Sequence, residues 1–174
     1  MQRPLRVSVA GVLAFGLSAG NVIAQANPDF SGRWVLVGST GSSAGSPLGQ
    51  QGTIEQDSTT VVFTETVPVA VVVAGLPQPV TQRTLAYRLD GSESRNALRT
   101  AAGETWTLLS RVNSATNALV IVTTVSGGRI GEFATRVPCA LDTSDRLVIE
   151  VVQPGTNRDG TNTTLTSTLT YRKQ

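Results

Sequence analysis

From residue 33 onward the chain alternates apolar and polar residues with a period of two. The runs are "RWVLVG", "GTIEQD", "TVVFTET", "TLAYRLD", "TWTLLSRV", "ALVIVTT", "GEFATRV", "RLVIEVV" and "LTSTLTYR". They are rich in Val, Thr, Ile and aromatics, which suit a pleated, half-buried surface whose successive side chains point to opposite faces. Gly, Pro, Ser, Asn and Asp cluster between them, as in "STGSSAGSPLG", "LDGSES", "SGG" and "QPGTNRDGTN", and these residues punctuate chains as turns. Past residue 27 no stretch keeps an apolar i, i+3, i+4, i+7 stripe. The pattern predicts an all-β fold of nine to eleven antiparallel strands in meander order, because short links favour hairpins over crossovers.

The alternation also predicts which faces turn inward. Leu85, Tyr87 and Leu89 share one face. So do Trp106, Leu108, Ser110 and Val112, then Leu147, Ile149 and Val151, and in the last run Leu165, Leu169 and Tyr171. One apolar face per strand, with Thr or charge opposite, fits a curved sheet or a barrel better than a sheet covered on both sides. Closure would also remove exposed strand edges. The stretch 66–80, "TVPVAVVVAGLPQPV", breaks the pattern: it is apolar, uncharged and holds three prolines. Two readings stand for it, a strand over Val69–Val73 bounded by Pro68 and Pro77, and an apolar flap over a barrel mouth.

The first 26 residues read differently. Arg3 and Arg6 precede an apolar run, Val7–Gly20, and Ala24-Gln25-Ala26 forms an A-x-A site. This is the signature of a secretory signal cleaved after Ala26. The run is 14 residues, short of the roughly 20 that span a bilayer. The expected mature chain, 27–174, is one domain located in the periplasm or secreted, and not an integral membrane protein once the signal is removed. Such a chain buries roughly two-thirds of its unfolded surface.

Cleavage changes the charge. Of 14 basic residues the signal takes two, leaving 12 against 12 acidic ones, so the mature chain is neutral although the full chain is +2. With no basic cluster, nucleic acid is not an expected partner. Cys139 is the lone cysteine, so no intrachain disulfide can form, and its apolar setting, "RVPCAL", predicts burial. The sequence carries no signal of oligomeric state.

Candidate chemistry is sparse. "GSSAG", 41–45, has the letters of a nucleophile elbow, but the chain has no histidine and the stretch lies in a Gly/Ser loop. Lack of His also removes the commonest general base and metal ligand, so neither a catalytic residue, a metal site nor a cofactor is expected. Glu55 and Asp57 have the spacing of a same-face acid pair, the arrangement a glycosidase needs, and they also read as solvated charges at a strand end. "DTSDR" spaces its acids like a calcium loop but is shorter than the twelve residues such a loop needs.

A strand-opening Gly32-Arg33-Trp34, an antiparallel meander and a basic residue in the closing strand together resemble the calycins: lipocalins, fatty-acid-binding proteins and avidins. "NPDFSGRW", "YRLDGSES" and "ALVIVTT" in that order are similar to small secreted lipocalin-like bacterial proteins of unknown function, over most of residues 28–173. The resemblance implies a barrel of about eight to ten strands in which Trp34 plugs the closed end. Arg172 or Lys173 would cross its ring, and Phe30 would add apolar cover. The chain departs from these families at several points. It has no helical lid after the first strand, Leu169 stands where the closing R-x-Y would place Arg, it has two tryptophans, and it has no disulfide.

Two functional readings follow. In the first, the barrel binds a small, largely apolar molecule, with Leu36, Phe63, Leu85, Tyr87, Trp106, Leu108, Ile149 and Leu169 lining its cavity by parity. In the second, the barrel is packed solid and serves as a non-enzymatic structural or interaction protein of the cell envelope. The export reading is checked by amino-terminal sequencing of the secreted protein, which should begin at Asn27; a product in the membrane fraction beginning at Met1 would contradict it.

Overall fold

A computed structural model describes residues 28–41, 46–68, 80–99, 103–115, 117–127 and 131–174. Ten strands and no helix occur among them: β1 (Gly32–Gly41), β2 (Gln51–Gln56), β3 (Thr60–Pro68), β4 (Val80–Arg88), β5 (Ser94–Arg99), β6 (Thr105–Ala115), β7 (Ala118–Ser126), β8 (Phe133–Leu141), β9 (Leu147–Thr156) and β10 (Asn162–Lys173). Every ladder is antiparallel. The spatial order is β4-β3-β2-β1-β10-β9-β8-β7-β6-β5. Each strand thus pairs with its sequence neighbour, except that β1 pairs with β10 and β4 with β5 does not, giving a nearly closed meander barrel. The expected strand at Val69–Val73 and the alternative flap lie outside the described residues.

Strand β5 was not expected, because "SRNALR" has no apolar face. Its Ser94 is buried, Asn96 and Leu98 are half-buried, and Arg95, Ala97 and Arg99 are exposed. The polar side chains close the seam that backbone pairing leaves open. Ala86 N–H donates to Asn96 Oδ1 and Asn96 Nδ2 donates to Ala86 O, both at 2.9 Å, while Arg88 N–H donates to Ser94 Oγ at 2.8 Å. Asn96 therefore presents its amide to β4 as a neighbouring strand would present a peptide group. Without it those edge groups would face solvent as an unpaired strand edge.

The inward faces follow the alternation. Leu85, Tyr87, Leu108, Val112, Leu147, Ile149, Val151, Leu169 and Tyr171 are all in the core, with Ser110 and Ser167 buried in phase with them. In β1 the register to β10 shifts between Leu36 and Gly38, leaving Val37 as an extra, exposed residue. Such a bulge bends its strand and re-aims the side chains beyond it. Gly38–Gly41 accordingly all face solvent.

The end of the barrel where β1 begins is packed shut. Phe30 and Trp34 are at most 1% exposed, and Trp34 Nε1 donates to Phe30 O at 2.9 Å. Gln56 straps the leading chain beneath the barrel, accepting from Phe30 N and donating to Pro28 O. Lys173 stands opposite Trp34 in register, with Nζ 5.7 Å from the ring centroid. Of the two cations considered, Lys173 is therefore the one across the ring, and Arg172 is not. Arg172 is paired with Val35 and exposed, because alternation points it away from the interior. Gly32 has φ +143°, and a Cβ there would collide with the Lys173 stem, so the glycine leaves room for the cation as well as turning the chain.

The turns are held by aspartates. Asp57 accepts from the N–H groups of Thr59 and Thr60 at 2.7 Å. Asp90, Asp142 and Asp159 do the same for Ser92, Ser144 with Arg146, and Thr161. "DTSDR" is thus a turn between β8 and β9. Gly91 and Gly160 take the left-handed φ that follows Asp in "DG" turns.

Two predictions follow from this architecture. Trp34→Ala should cost about 3–5 kcal/mol in chemical denaturation. Lys173→Ala should cost about 1 kcal/mol non-additively with it, and Arg172→Ala under about 0.5 kcal/mol. The second concerns pH. The bonds from Thr59 and Thr60 depress the Asp57 carboxyl from 3.8 to about 2, and Asp90, Asp142 and Asp159 are depressed likewise by their turns. A carboxyl whose folded value lies below its unfolded value stabilises the fold above the unfolded value and loses that contribution as pH falls through the folded one. Denaturation midpoints should therefore drop from about pH 4 to about pH 2, and Asp57→Asn should flatten that drop.

Candidate ligand-binding cavity

The described part of the link between β1 and β2, residues 46–50, turns inward. Ser46 and Leu48 are buried inside the barrel, Leu48 completely. Tyr171 on β10 fastens them. Its hydroxyl donates to Gly49 O at 2.8 Å and lies 2.6 Å from Ser46 Oγ, which in turn accepts from Leu48 N–H. Burial pushes the Tyr171 phenol up to about 12, so it keeps its proton and the chain of bonds persists at all ordinary pH. Gly49 has φ +57°, and a Cβ there would strike the Glu65 carboxylate. The ion pair of Arg83 with Glu65 and the bond from Arg83 Nη2 to Ser46 O at 2.9 Å complete the clasp. Burial raises the Glu65 carboxyl, against the pull of Arg83.

This inserted segment divides the interior. On the Trp34 side the barrel is solid: Phe30, Trp34, Leu48, Ile54, Phe63, Leu119, Leu147, Ile149, Cys139 and Tyr171 are all at most 2% exposed. On the other side lies a cavity of about 280 Å³. Ser46 and Pro47 form one wall of it. Leu85 and Tyr87 come from β4, Trp106 and Leu108 from β6, Ile121 and Val125 from β7, Phe133 and Val137 from β8, and Val151 from β9. Polar groups are few: Arg83, Thr123, Thr135 and Gln153. Thr123 Oγ1 is 2.9 Å from Ser110 Oγ, so that pair satisfies itself. Trp106 Nε1 is buried with no hydrogen-bond partner.

Of the eight residues predicted from parity, Leu85, Tyr87, Trp106 and Leu108 line the cavity. Phe63, Ile149 and Leu169 are buried outside its lining, and Leu36 packs half-buried against the core. Phe63 supports the wall from behind, edge-on to Tyr87 at 5.7 Å. Parity tells which side of the sheet a residue faces but not its height along the barrel axis, so it cannot tell which inward residues meet in one cavity. The walls from β7 and β8 went unselected, although Ile121, Thr123 and Val125 share a face of one alternating run.

The remaining candidates lie elsewhere. Glu55 is exposed on β2, and both oxygens of Asp57 bind turn threonines, so the two do not form an acid pair in a cavity. Cys139 is wholly buried, and burial alone pushes its thiol up to about 12, which leaves no thiolate to react. Among the described residues no three His, Cys, Asp or Glu side chains gather where they could hold a metal. No protein-family model matches the chain, and a search of curated proteins finds no match either.

The Tyr171 clasp yields a further prediction. Tyr171→Phe strands Gly49 O and the Ser46 hydroxyl in the interior, which should cost about 1–3 kcal/mol. Ser46→Ala should cost less. The double variant should fall short of the sum in urea denaturation, because the two hydroxyls act in one chain.

Proposed function

We propose that this chain is an exported, calycin-like barrel that binds and carries a small, largely apolar molecule. The observation that carries the reading is the cavity itself, held hollow beside a solid floor. Its lining is predominantly aliphatic and aromatic with a few polar groups, which is the usual make-up of a small-molecule site. A cavity of about 150 Å³ holds benzene, so about 280 Å³ suits a body of two rings or a chain of eight to ten carbons. Calycin kinship is supported by Trp34 buried at the strand opening with Lys173 across it. Placement in water is supported by the side-chain pattern: Arg88, Arg95, Arg99, Arg111 and Arg136 are exposed on the outer face while the interior is apolar, the reverse of barrels that meet lipid.

The test is native mass spectrometry of protein purified from its own compartment. A bound small molecule should accompany the wild-type chain and be lost from Leu108→Trp, which fills the cavity. Ligand-free mass for both proteins would overturn the reading in favour of an interaction protein.

A further inference from the structure

Backbone pairing between β8 and β9 is interrupted beside the cavity. Their ladder runs from Leu141↔Leu147 only as far as Arg136↔Val152, with no pairs at Val137 or Pro138. Beyond it Phe133–Thr135 stay paired to β7 and Gln153–Thr156 stay paired to β10, while no pairs join the two strands to each other. Two prolines explain the interruption. Pro138 keeps its place in the β7 ladder and Pro154 keeps its place in the β10 ladder, so in both the missing N–H falls on the β8/β9 side. Beside this stretch a groove runs over Pro154, Gly155, Thr156 and Asn162, and it shares Trp106, Phe133 and Gln153 with the cavity.

We propose that cavity and groove form one continuous binding site for an amphiphile with an uncharged, hydroxyl- or amide-rich head. This rests on reading the cavity as a ligand site. The apolar body lies inside. The chain passes over Phe133 and Gln153, which line both compartments, and the head lies on Gln153, Thr156 and Asn162. These three side chains both donate and accept, as hydroxyl groups do, and none of the described residues that line the groove is charged. Trp106, common to both compartments, adds an indole N–H that nothing else uses. Arg83 lies in the cavity but is engaged by Glu65 and Ser46 O, and Arg136 lines a second groove across the outer face of β7–β10, so an anionic head is the control that matters.

The test is calorimetric titration of the mature chain with octyl glucoside, octanol, octanoate and octylamine, each below its micelle concentration. Octyl glucoside should bind about tenfold more tightly than the other three, as two or three added hydrogen bonds allow. Asn162→Ala and Gln153→Ala should each weaken octyl glucoside about fivefold and leave octanol unchanged. Leu108→Trp, or the milder Thr135→Phe, should abolish binding of both. Equal affinity for octanol and octyl glucoside, tighter binding of octanoate or octylamine, or no effect of Asn162→Ala and Gln153→Ala would overturn the proposal. The cavity reading would survive those results if octanol binding is still lost from the filled variants. Failure of all four probes to bind would remove both.

Discussion

One phenolic hydroxyl decides where this barrel is full and where it is hollow. Tyr171 reaches from the last strand to Gly49 and Ser46 and holds a loop segment inside the sheet, where Leu48 is fully buried. A barrel of ten strands is wider than its own side chains fill with ease. The insertion supplies the missing volume on the Trp34 side and stops there, so the remaining space is left over. The solid part can then bear the stability while the hollow part carries apolar walls that do not touch one another.

The sheet has two weak seams, and side-chain chemistry treats them oppositely. At β4/β5 no ladder forms, yet Asn96 and Ser94 bond the exposed backbone of β4 and sew the edge. At β8/β9 the ladder fails at Pro138 and beyond Arg136↔Val152, and no described side chain is seen to bridge it. The mended seam holds β4 to β5, and the unpaired one lies where cavity and groove share Phe133 and Gln153. The Glu65–Arg83 pair belongs to the mended side of this division: half-buried, it costs desolvation, and it is retained where it ties β3, β4 and the inserted segment together.

The fold was legible because nine of the strands alternate in the ordinary way, as "ALVIVTT" and "RLVIEVV" do. The tenth was not, because β5 uses Ser94 and Asn96 on its inner face, and polar side chains that substitute for a ladder leave no hydrophobic period. The inward direction of Leu85, Tyr87, Trp106 and Leu108 could be read, but their meeting in one cavity could not. That depends on a Gly/Pro link folding inward, which composition marks only as a loop. Likewise the choice between Arg172 and Lys173 turns on a single residue of register against Trp34. Alternation settles it once the pairing is known and not before.

The pairing of the first strand with the last has a consequence in time. Trp34 waits for Lys173, and Leu36 for Tyr171, across almost the whole described chain. Contacts so distant in sequence form slowly, because the intervening chain must be ordered first. While the polypeptide is being synthesised, the earlier hairpins have no partner to close upon until β10 has emerged. A ring of this kind remains an unfinished ribbon until β10 arrives.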